Sequence, residues 1–428
     1  MSKVCVKPSL LSGSLAVPTS KSHSLRAILL ASMARGSSRI AGILPSPDIA
    51  SMIKTCRQLG ATIKKDKDTL EITGVAGQPN IPDGVLDAGN SGQVFRFASA
   101  MVAMADGSCT MTGDASIRNS RPALPLIDGI NQLGGTCASK DGAGRAPLTI
   151  TGPIKAGEIT IDGLDSQPVS AFLMACAFMD GTSIINVKNA GETPWIDLTL
   201  GWLDKLNIEV TNNHYIQYIV KGVGVPKGFN YSVPGDLSSI SFPLVAALIT
   251  GSSITIGNVH MNDSQGDKDI IFALQKLGAN INIDTKLNTI TVLPSSAIKG
   301  GELDINNMID TLPILGVLGC FSRAPLTLKN CAIARKKECD RLACITQELT
   351  KMGAHIDEKP DQITIYPSNL TGARVESHHD HRMAMALGVA GLMATGETIV
   401  EGADCVEKSY PDFWAEMKKL GANMEAVE

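Results

Sequence analysis

Apolar and polar positions along the chain follow two periodicities, helical and alternating, and one combination of them recurs six times. Each time a helical pattern closes in RQLGATI, NQLGGTC, DKLNIEV, QKLGANI, TKMGAHI or KKLGANM, and a β-rich segment follows. The last apolar residues of these helices are 74, 73, 71, 75 and 68 residues apart: Leu59, Leu133, Leu206, Leu277, Met352 and Leu420. Gly, or Asn207 in the third copy, comes next, as expected where a helix ends in the left-handed conformation.

A second helix is predicted in every repeat, and it is nearly apolar on all faces. These helices are predicted to run from Lys21, Asn90, Asp165, Asp236, Ile309 and His379. An all-apolar helix is expected to be buried. Alternating runs such as TSIINV and SSITIGNV follow and predict strands. The sequence therefore predicts an α/β fold of six repeats of about 70 residues.

The strand expected before the first buried helix is KVCVKP, at the start of the chain. We infer that the N-terminal strands pair into the C-terminal half and complete the sixth repeat. The predicted domains are 1–18 plus 236–428 and 19–235, with three repeats each. A passive solenoid is the alternative interpretation of the periodicity, and the distribution of charge described below argues against it.

Composition narrows the class of protein. The chain has 428 residues, 44% of them hydrophobic, and a net charge of −4, which disfavours binding to nucleic acid or to an anionic membrane. No apolar stretch reaches the ~18 residues of a membrane span. Ten cysteines without CxxC pairs favour reduced thiols, so a cytoplasmic location is expected.

Basic and polar residues open the buried helices, where free N–H groups and the helix dipole attract anions. Lys21 and Arg382 oppose the dipole in a first turn, an unfavourable position unless an anion binds there. Each also has a simpler explanation, as an exposed cation or a neighbour of an N-cap. If the repeats are symmetric, the helix N-termini are expected to converge on the cleft between the domains.

Other cations lie in loops. Lys337 and Arg341 are four residues apart beside Glu338, which also fits an ordinary solvated helix start. Arg121 and Lys408 lie in loops near prolines. His378, His379 and His381 suggest a metal, but no Cys or carboxylate pattern completes a known site, so none is expected.

Taken in order, SKSHSLR, GNSGQVFR, NSRP, DSQ, GDLSSISF, RKKECDRL, HDHRMAM and KSYPDF resemble the signature segments of the 5-enolpyruvylshikimate-3-phosphate synthase family. The resemblance covers essentially the whole chain. It implies a two-domain inside-out α/β barrel with three repeats per domain. It also implies transfer of the enolpyruvyl group of phosphoenolpyruvate to the 5-hydroxyl of shikimate 3-phosphate, without a metal or organic cofactor. A monomer is expected.

The resemblance also assigns residues. The phosphoenolpyruvate contacts it implies are Lys21, Asn90, Gly92, Arg121, Arg341, Arg382 and Lys408. Those implied for shikimate 3-phosphate are Lys21, Ser22, Arg26, Asp165, Ser166, Gln167, Trp195, Asp310 and Lys337, with His381 in support. Asp310 is expected to act on the attacking hydroxyl, and Glu338 with Lys21 to deliver a proton to the methylene carbon.

Several positions depart from the family pattern. Asp165 and Glu192 replace serines near the substrate phosphate, and Trp195 replaces a tyrosine that packs on the shikimate ring. Gln93 replaces a threonine, and Ile333 an asparagine that binds shikimate hydroxyls. These changes concern mainly the acceptor.

Two other functions remain open at this stage. The related transferase that acts on UDP-N-acetylglucosamine shares the fold, but usually carries a reactive Cys in a loop near RNSRP and KN in place of KS. A non-catalytic anion-binding scaffold is the second alternative. Such a scaffold would be expected to have lost Lys21, Asp310 or Glu338. All three are present, which favours an enzyme.

Overall fold

The computed structural model describes residues 2–82, 84–295 and 298–427. Within those ranges the α-helices are α1 (Lys21–Met33), α2 (Pro47–Gln58), α3 (Gly92–Val102), α4 (Ala115–Asn119), α5 (Leu124–Gln132), α6 (Ser166–Ala177), α7 (Thr193–Lys205), α8 (Ser241–Thr250), α9 (Asp269–Lys276), α10 (Leu312–Cys320), α11 (Arg341–Lys351), α12 (His381–Gly391) and α13 (Phe413–Lys419).

The strands are β1 (Lys3–Lys7), β2 (Ser12–Ala16), β3 (Ser37–Ala41), β4 (Thr62–Asp66), β5 (Thr69–Thr73), β6 (Val85–Asp87), β7 (Gly107–Thr112), β8 (Thr136–Ser139), β9 (Leu148–Gly152), β10 (Glu158–Asp162), β11 (Asp180–Lys188), β12 (Val210–Asn213), β13 (Gln217–Val223), β14 (Asn230–Ser232), β15 (Ser253–Gly257), β16 (Asn280–Asp284), β17 (Thr289–Leu293), β18 (Gly301–Asp304), β19 (Leu326–Lys329), β20 (His355–Lys359), β21 (Gln362–Tyr366), β22 (Arg374–Glu376), β23 (Thr398–Glu401) and β24 (Asn423–Val427).

The strands form four-stranded sheets of one design. In β6-β7-β9-β8 the first two strands are parallel, and each later strand is antiparallel to its neighbour. The same pattern recurs in β10-β11-β13-β12, β14-β3-β5-β4, β2-β15-β17-β16, β18-β19-β21-β20 and β22-β23-β1-β24. The predicted set of six α/β repeats is confirmed.

The N-terminal strands complete two of these sheets. β1 lies between β23 and β24, with Lys3 opposite Glu401 on one side and Val427 on the other. β2 is parallel to β15, with Ser12 opposite Ser253. The predicted pairing of the chain start with the C-terminal half is therefore confirmed.

The repeated helix ends have the backbone conformation that their sequence predicts. Each of the six helices is followed by a residue with φ between 58° and 104°: Gly60, Gly134, Asn207, Gly278, Gly353 and Gly421. Gly enters this region at no steric cost, and Asn tolerates it better than most residues. Only neighbouring residues determine this backbone conformation, so the sequence at each helix end was sufficient to predict it.

The second helix of each repeat is buried, as predicted. All nine residues of α10 are buried, and α8, α10 and α12 pack against one another. α3, α6 and α12 begin one or two residues after the predicted positions, and two other starts differ by more. α8 begins at Ser241 because the Asp236 carboxylate accepts the Ser239 N–H at 2.9 Å and holds a turn. α10 begins at Leu312, after a separate 3-10 helix, Asn306–Thr311.

The chain divides into two compact units. We call Thr19–Val233 the inserted unit, and Met1–Pro18 with Pro234–Glu428 the terminal unit. α1, α3 and α6 contribute most of the core of the inserted unit, together with the inward faces of its strands. In the described part of the chain, no helix combines the length and the apolar character needed to cross a membrane.

Candidate active site

Lys21 and the start of α3 are linked by one carboxylate in the inserted unit. Ser20 caps α1, so Lys21 is the first helical residue, and its Nζ lies 3.6 Å from Asp48 Oδ2. The same oxygen accepts a hydrogen bond of 3.0 Å from Ser91, the N-cap of α3. Asp48 was not predicted as a site residue, although the SPD sequence that starts α2 marks a helix N-terminus.

Arg121 and Asn90 lie beside Gly92. Arg121 is 5% exposed, and its Nη2 is 3.5 Å from Asn90 Oδ1. The Asn90 amide donates to Asp114 at 2.6 Å, which fixes its orientation. A Cβ on Gly92 would lie 2.5 Å from Arg121 Nη1, so only glycine leaves room for this guanidinium. The structure thus brings these three predicted residues together.

Asp165 is neutralised by a cation that was not assigned a site role. Asp165 caps α6 by accepting the Gln167 N–H at 3.0 Å, and its Oδ2 lies 2.8 Å from Arg96 Nη2. Arg96 Nη1 also donates to Gln167 Oε1 at 3.1 Å. The substitution of an acid for serine at this position is thus accompanied by a nearly buried ion pair.

The first turn of α6 already holds a carboxylate. Glu192 Oε2 accepts from the Ser166 N–H at 3.2 Å and from its hydroxyl at 3.4 Å. Glu192 is 1% exposed and has a left-handed backbone, with φ of 49°. A buried carboxylate at a helix N-terminus occupies the place where an anionic ligand group would bind.

Arg26 is a buried cation. It donates to Thr199 Oγ1 at 3.0 Å, to the Ser22 carbonyl at 3.2 Å and to the Trp195 carbonyl at 3.3 Å. Its guanidinium also lies 5.0 Å from the centre of the Phe97 ring. Burial lowers the pKa of Arg26 to about 9. A nearby anion would therefore stabilise its charged form.

Arg341 is the centre of the site residues in the terminal unit. Asp340 caps α11, so Arg341 is its first residue, and it is 1% exposed. Its guanidinium is 2.6 Å from Asp380, 2.7 Å from Asp310 and 3.0 Å from Glu338. These carboxylates, with Asp380 first, raise the pKa of Arg341 against the effect of burial.

Asp310 joins α11 and α12 through two ion pairs. Its Oδ1 accepts from Arg341, and its Oδ2 lies 2.8 Å from Arg382 Nη2. Burial raises the pKa of Asp310, but Arg382, Arg341 and Lys337 outweigh that effect and hold the pKa well below its usual range. Asp310 is therefore ionised, and its oxygens can accept hydrogen bonds.

Glu338 lies between two cations. One of its oxygens is 2.7 Å from Lys408 Nζ, and the other contacts Arg341. Lys408 is 7% exposed. The first residue of α12, His381, is 1% exposed, with Nδ1 3.7 Å from Oδ1 of its N-cap, Asp380. Asp380 was missed by the sequence reasoning, although it lies within the quoted HDHR motif.

Comparison with known proteins identifies a family. The family model described as EPSP synthase (3-phosphoshikimate 1-carboxyvinyltransferase) matches residues 6–417. A 3-phosphoshikimate 1-carboxyvinyltransferase of Chlamydia felis is 42% identical over 98% of this chain and 94% of its own. The enzyme of that name from Methanocella arvoryzae is 40% identical over 96% and 97%. An EPSP synthase structure from Acinetobacter baumannii has a TM-score of 0.82, 26% identity and 100% coverage of both chains.

Proposed function

We propose roles for the site residues of this chain, which belongs to the EPSP synthase (3-phosphoshikimate 1-carboxyvinyltransferase) family. The enzyme transfers the enolpyruvyl group of phosphoenolpyruvate to the 5-hydroxyl of shikimate 3-phosphate and releases phosphate, a step in aromatic amino-acid synthesis. The observation that carries the residue roles is the cluster in which Arg341, Arg382 and Lys408 surround Asp310 and Glu338.

Phosphoenolpyruvate is bound by cations of both units. Those of the inserted unit are Lys21 and Arg121, with Asn90 and Gly92 beside them, and those of the terminal unit are Arg341, Arg382 and Lys408. Guanidinium groups suit the carboxylate and phosphate because they donate two parallel hydrogen bonds, whereas lysines supply point charges. A location in the cleft between domains remains a prediction.

Shikimate 3-phosphate is bound by polar groups at the starts of α1 and α6. The proposed contacts are Lys21, Ser22, Arg26, Asp165, Ser166, Gln167, Trp195, Asp310 and Lys337. Support comes from Arg26, whose buried charge would gain most from a dianionic phosphate nearby. Asp165 is compatible with an anionic ligand because Arg96 neutralises it.

The oxygen of the 5-hydroxyl bonds to C2 of phosphoenolpyruvate, and Asp310 accepts the hydroxyl proton. At the same time an acid protonates the methylene carbon. Loss of a proton from the resulting methyl group and of phosphate then restores the double bond. Glu338, with Lys21, performs the proton delivery and His381 supports the site. Two arginines hold the Asp310 carboxylate in place, so it can orient the hydroxyl as well as accept its proton.

Ligand binding prepares Glu338 to act as an acid. In the chain alone, Arg341 and Lys408 both contact its carboxylate, which favours the ionised form. Once the phosphate and carboxylate of phosphoenolpyruvate also contact these cations, the cations stabilise the negative charge of Glu338 less. Its proton affinity then rises at the moment when a proton donor is needed.

We also expect a cytoplasmic monomer without a cofactor or metal, acting on these two small molecules and not on nucleic acid. The ten cysteines are all free thiols, which fits a reducing compartment. Light scattering across a range of protein concentrations tests the monomeric state.

The function is tested by measuring phosphate release from phosphoenolpyruvate with shikimate 3-phosphate or UDP-N-acetylglucosamine as acceptor. Release with shikimate 3-phosphate alone is expected. Release with the sugar nucleotide would place the activity with the related transferase, and release with neither acceptor would favour a non-catalytic anion-binding scaffold.

A further inference from the structure

Two cysteines flank the start of α11 at positions whose side chains meet. Cys339 precedes the N-cap Asp340, whose carboxylate accepts the Ala343 N–H at 3.1 Å, and Cys344 is the fourth helical residue. Side chains at these two positions pack against each other across the first turn in many helices. Here each thiol shifts the pKa of the other, and both residues are only partly buried.

Cys344 has the surroundings of a reactive thiol. His378 lowers the pKa of the Cys344 thiol, and its Nε2 lies 2.8 Å from Glu348 Oε1. Glu348 is fully buried and also accepts the Glu376 N–H at 3.0 Å, so its carboxylate is fixed. A cysteine beside a histidine that a third group orients is the usual arrangement of an activated nucleophile.

The pKa values of Cys344 and His378 also favour a reactive thiol at Cys344. Interaction with Cys339, and then with His378, lowers the pKa of Cys344 to about 6. Interaction with Cys344 and Glu348 raises the pKa of His378 to about 10. Cys344 is thus the more acidic thiol of the pair, and the thiolate is the form that attacks electrophiles. By contrast, burial raises the pKa of Cys405 to about 12.

The pair is connected to the candidate active site. Cys339 Sγ lies 3.8 Å from Asp380 Oδ2, the oxygen that accepts from Arg341 Nε at 2.6 Å. The residue before it, Glu338, contacts Arg341 and Lys408. A change at Cys339 therefore acts on the groups that hold Arg341.

We propose that Cys339 and Cys344 form a modification site where a hydroperoxide joins them in a disulfide that weakens phosphoenolpyruvate binding. The Cys344 sulfur attacks the terminal peroxide oxygen, the O–O bond breaks, and an alcohol leaves with the thiol proton. Cys339 sulfur then bonds to the Cys344 sulfenic acid and releases water. The two thiols lose two electrons, and the hydroperoxide gains them.

The disulfide draws Cys339 to α11 and removes its thiol from Asp380, so the turn with Glu338 and Arg341 shifts. Loss of one charge-assisted hydrogen bond to the ligand corresponds to about a tenfold rise in KM for phosphoenolpyruvate. This kinetic effect rests on the proposed roles of Glu338 and Arg341, whereas disulfide formation does not.

The experiment treats the full-length enzyme with hydrogen peroxide, blocks the remaining thiols and maps the peptides by mass spectrometry. KM for phosphoenolpyruvate is measured before treatment, after it, and after reduction with dithiothreitol. Cys344→Ser is the test variant, and Cys405→Ser is the control that keeps the reactive pair.

In wild type and Cys405→Ser we expect a Cys339–Cys344 disulfide, the rise in KM and its reversal by dithiothreitol. In Cys344→Ser we expect none of these. Peptides with both thiols reduced, or equal loss of activity in wild type and Cys344→Ser, would overturn the proposal. A reversible disulfide with unchanged KM would overturn its link to the active site and count against the role given to Glu338 and Arg341.

Discussion

Glu192 occupies the first turn of α6, where we propose that shikimate 3-phosphate binds. Its carboxylate already accepts from the backbone and hydroxyl of Ser166, so a phosphate must displace it or bind beside it. A helix N-terminus stabilises one negative charge by about 1 kcal/mol. At the residue scale, the proposed acceptor site therefore contains an acid of the protein itself that would oppose phosphate binding.

We expect Glu192→Gln to lower KM for shikimate 3-phosphate about fivefold, which corresponds to that energy. The amide retains the size of the side chain and removes its charge. Steady-state kinetics check this, with KM for phosphoenolpyruvate as the internal control. An unchanged or higher KM for the acceptor would mean that Glu192 does not compete with it.

Asp310→Asn tests the role of the carboxylate near the hydroxyl. The amide keeps one acceptor oxygen but loses the charge that two arginines hold, so we expect kcat to fall about 10²-fold or more. Equilibrium binding of shikimate 3-phosphate, measured by calorimetry, separates this loss from a binding defect. Normal binding with near-normal turnover would exclude the assignment.

Asp267 is a fully buried carboxyl whose charge is unfavourable. Burial, and then Asp310, raise its pKa to about 7, although Arg382 opposes the shift. Between about pH 4 and 7 the folded state keeps a proton that the unfolded state releases, so stability falls as pH rises through this window.

Asp267→Asn should remove that slope. We expect the variant to gain on the order of 3 kcal/mol of unfolding free energy at pH 8 and much less at pH 4.5. Urea unfolding at both pH values measures it, with the exposed Asp269→Asn as the control. Parallel pH profiles of wild type and Asp267→Asn would contradict the raised pKa.

At the element scale, the helix ends were predictable and the contacts of the site were not. The six left-handed residues follow from Gly or Asn after an apolar helix, a signal carried by neighbouring residues. The Lys21–Asp48 pair joins residues 27 positions apart, and Arg341–Asp380 spans 39. Charge in a helix turn indicated an anion site, but the partner of each charge depends on tertiary packing.

Gly278→Ala tests one of these helix ends. Gly278 has φ of 100°, and a Cβ there would meet only the Lys299 side chain at 3.7 Å or more, so the cost is backbone strain. We expect a loss of about 1–2 kcal/mol in unfolding free energy. Gly201→Ala, inside α7 with open space around its Cα, should instead raise stability by up to about 1 kcal/mol. Equal effects of the two changes would refute this account.

At the scale of the whole molecule, the repeats of the sequence gave the number of sheets and the pairing of the chain ends. They could not give the ion-pair networks, because the partners are far apart in sequence and meet only through tertiary packing. Arg26 and Arg341 appeared in the sequence as ligand contacts, yet both are 1% exposed and bonded to protein groups.

Removal of residues 1–18 tests the discontinuous terminal unit. Without β1, strands β23 and β24 lose their shared neighbour, and β15 loses β2. We expect limited proteolysis to degrade 234–428 quickly while a fragment near 19–233 resists. Equal resistance of both regions would show that β1 and β2 are dispensable.

The position of β1 also affects how the chain is made. The ribosome synthesises β1 before the whole inserted unit, but its partners β23 and β24 are made after that unit. Domains generally fold as they emerge, the earlier ones first. The inserted unit can therefore reach its native state during translation, while β1 stays unpaired until β23 and β24 have also left the ribosome.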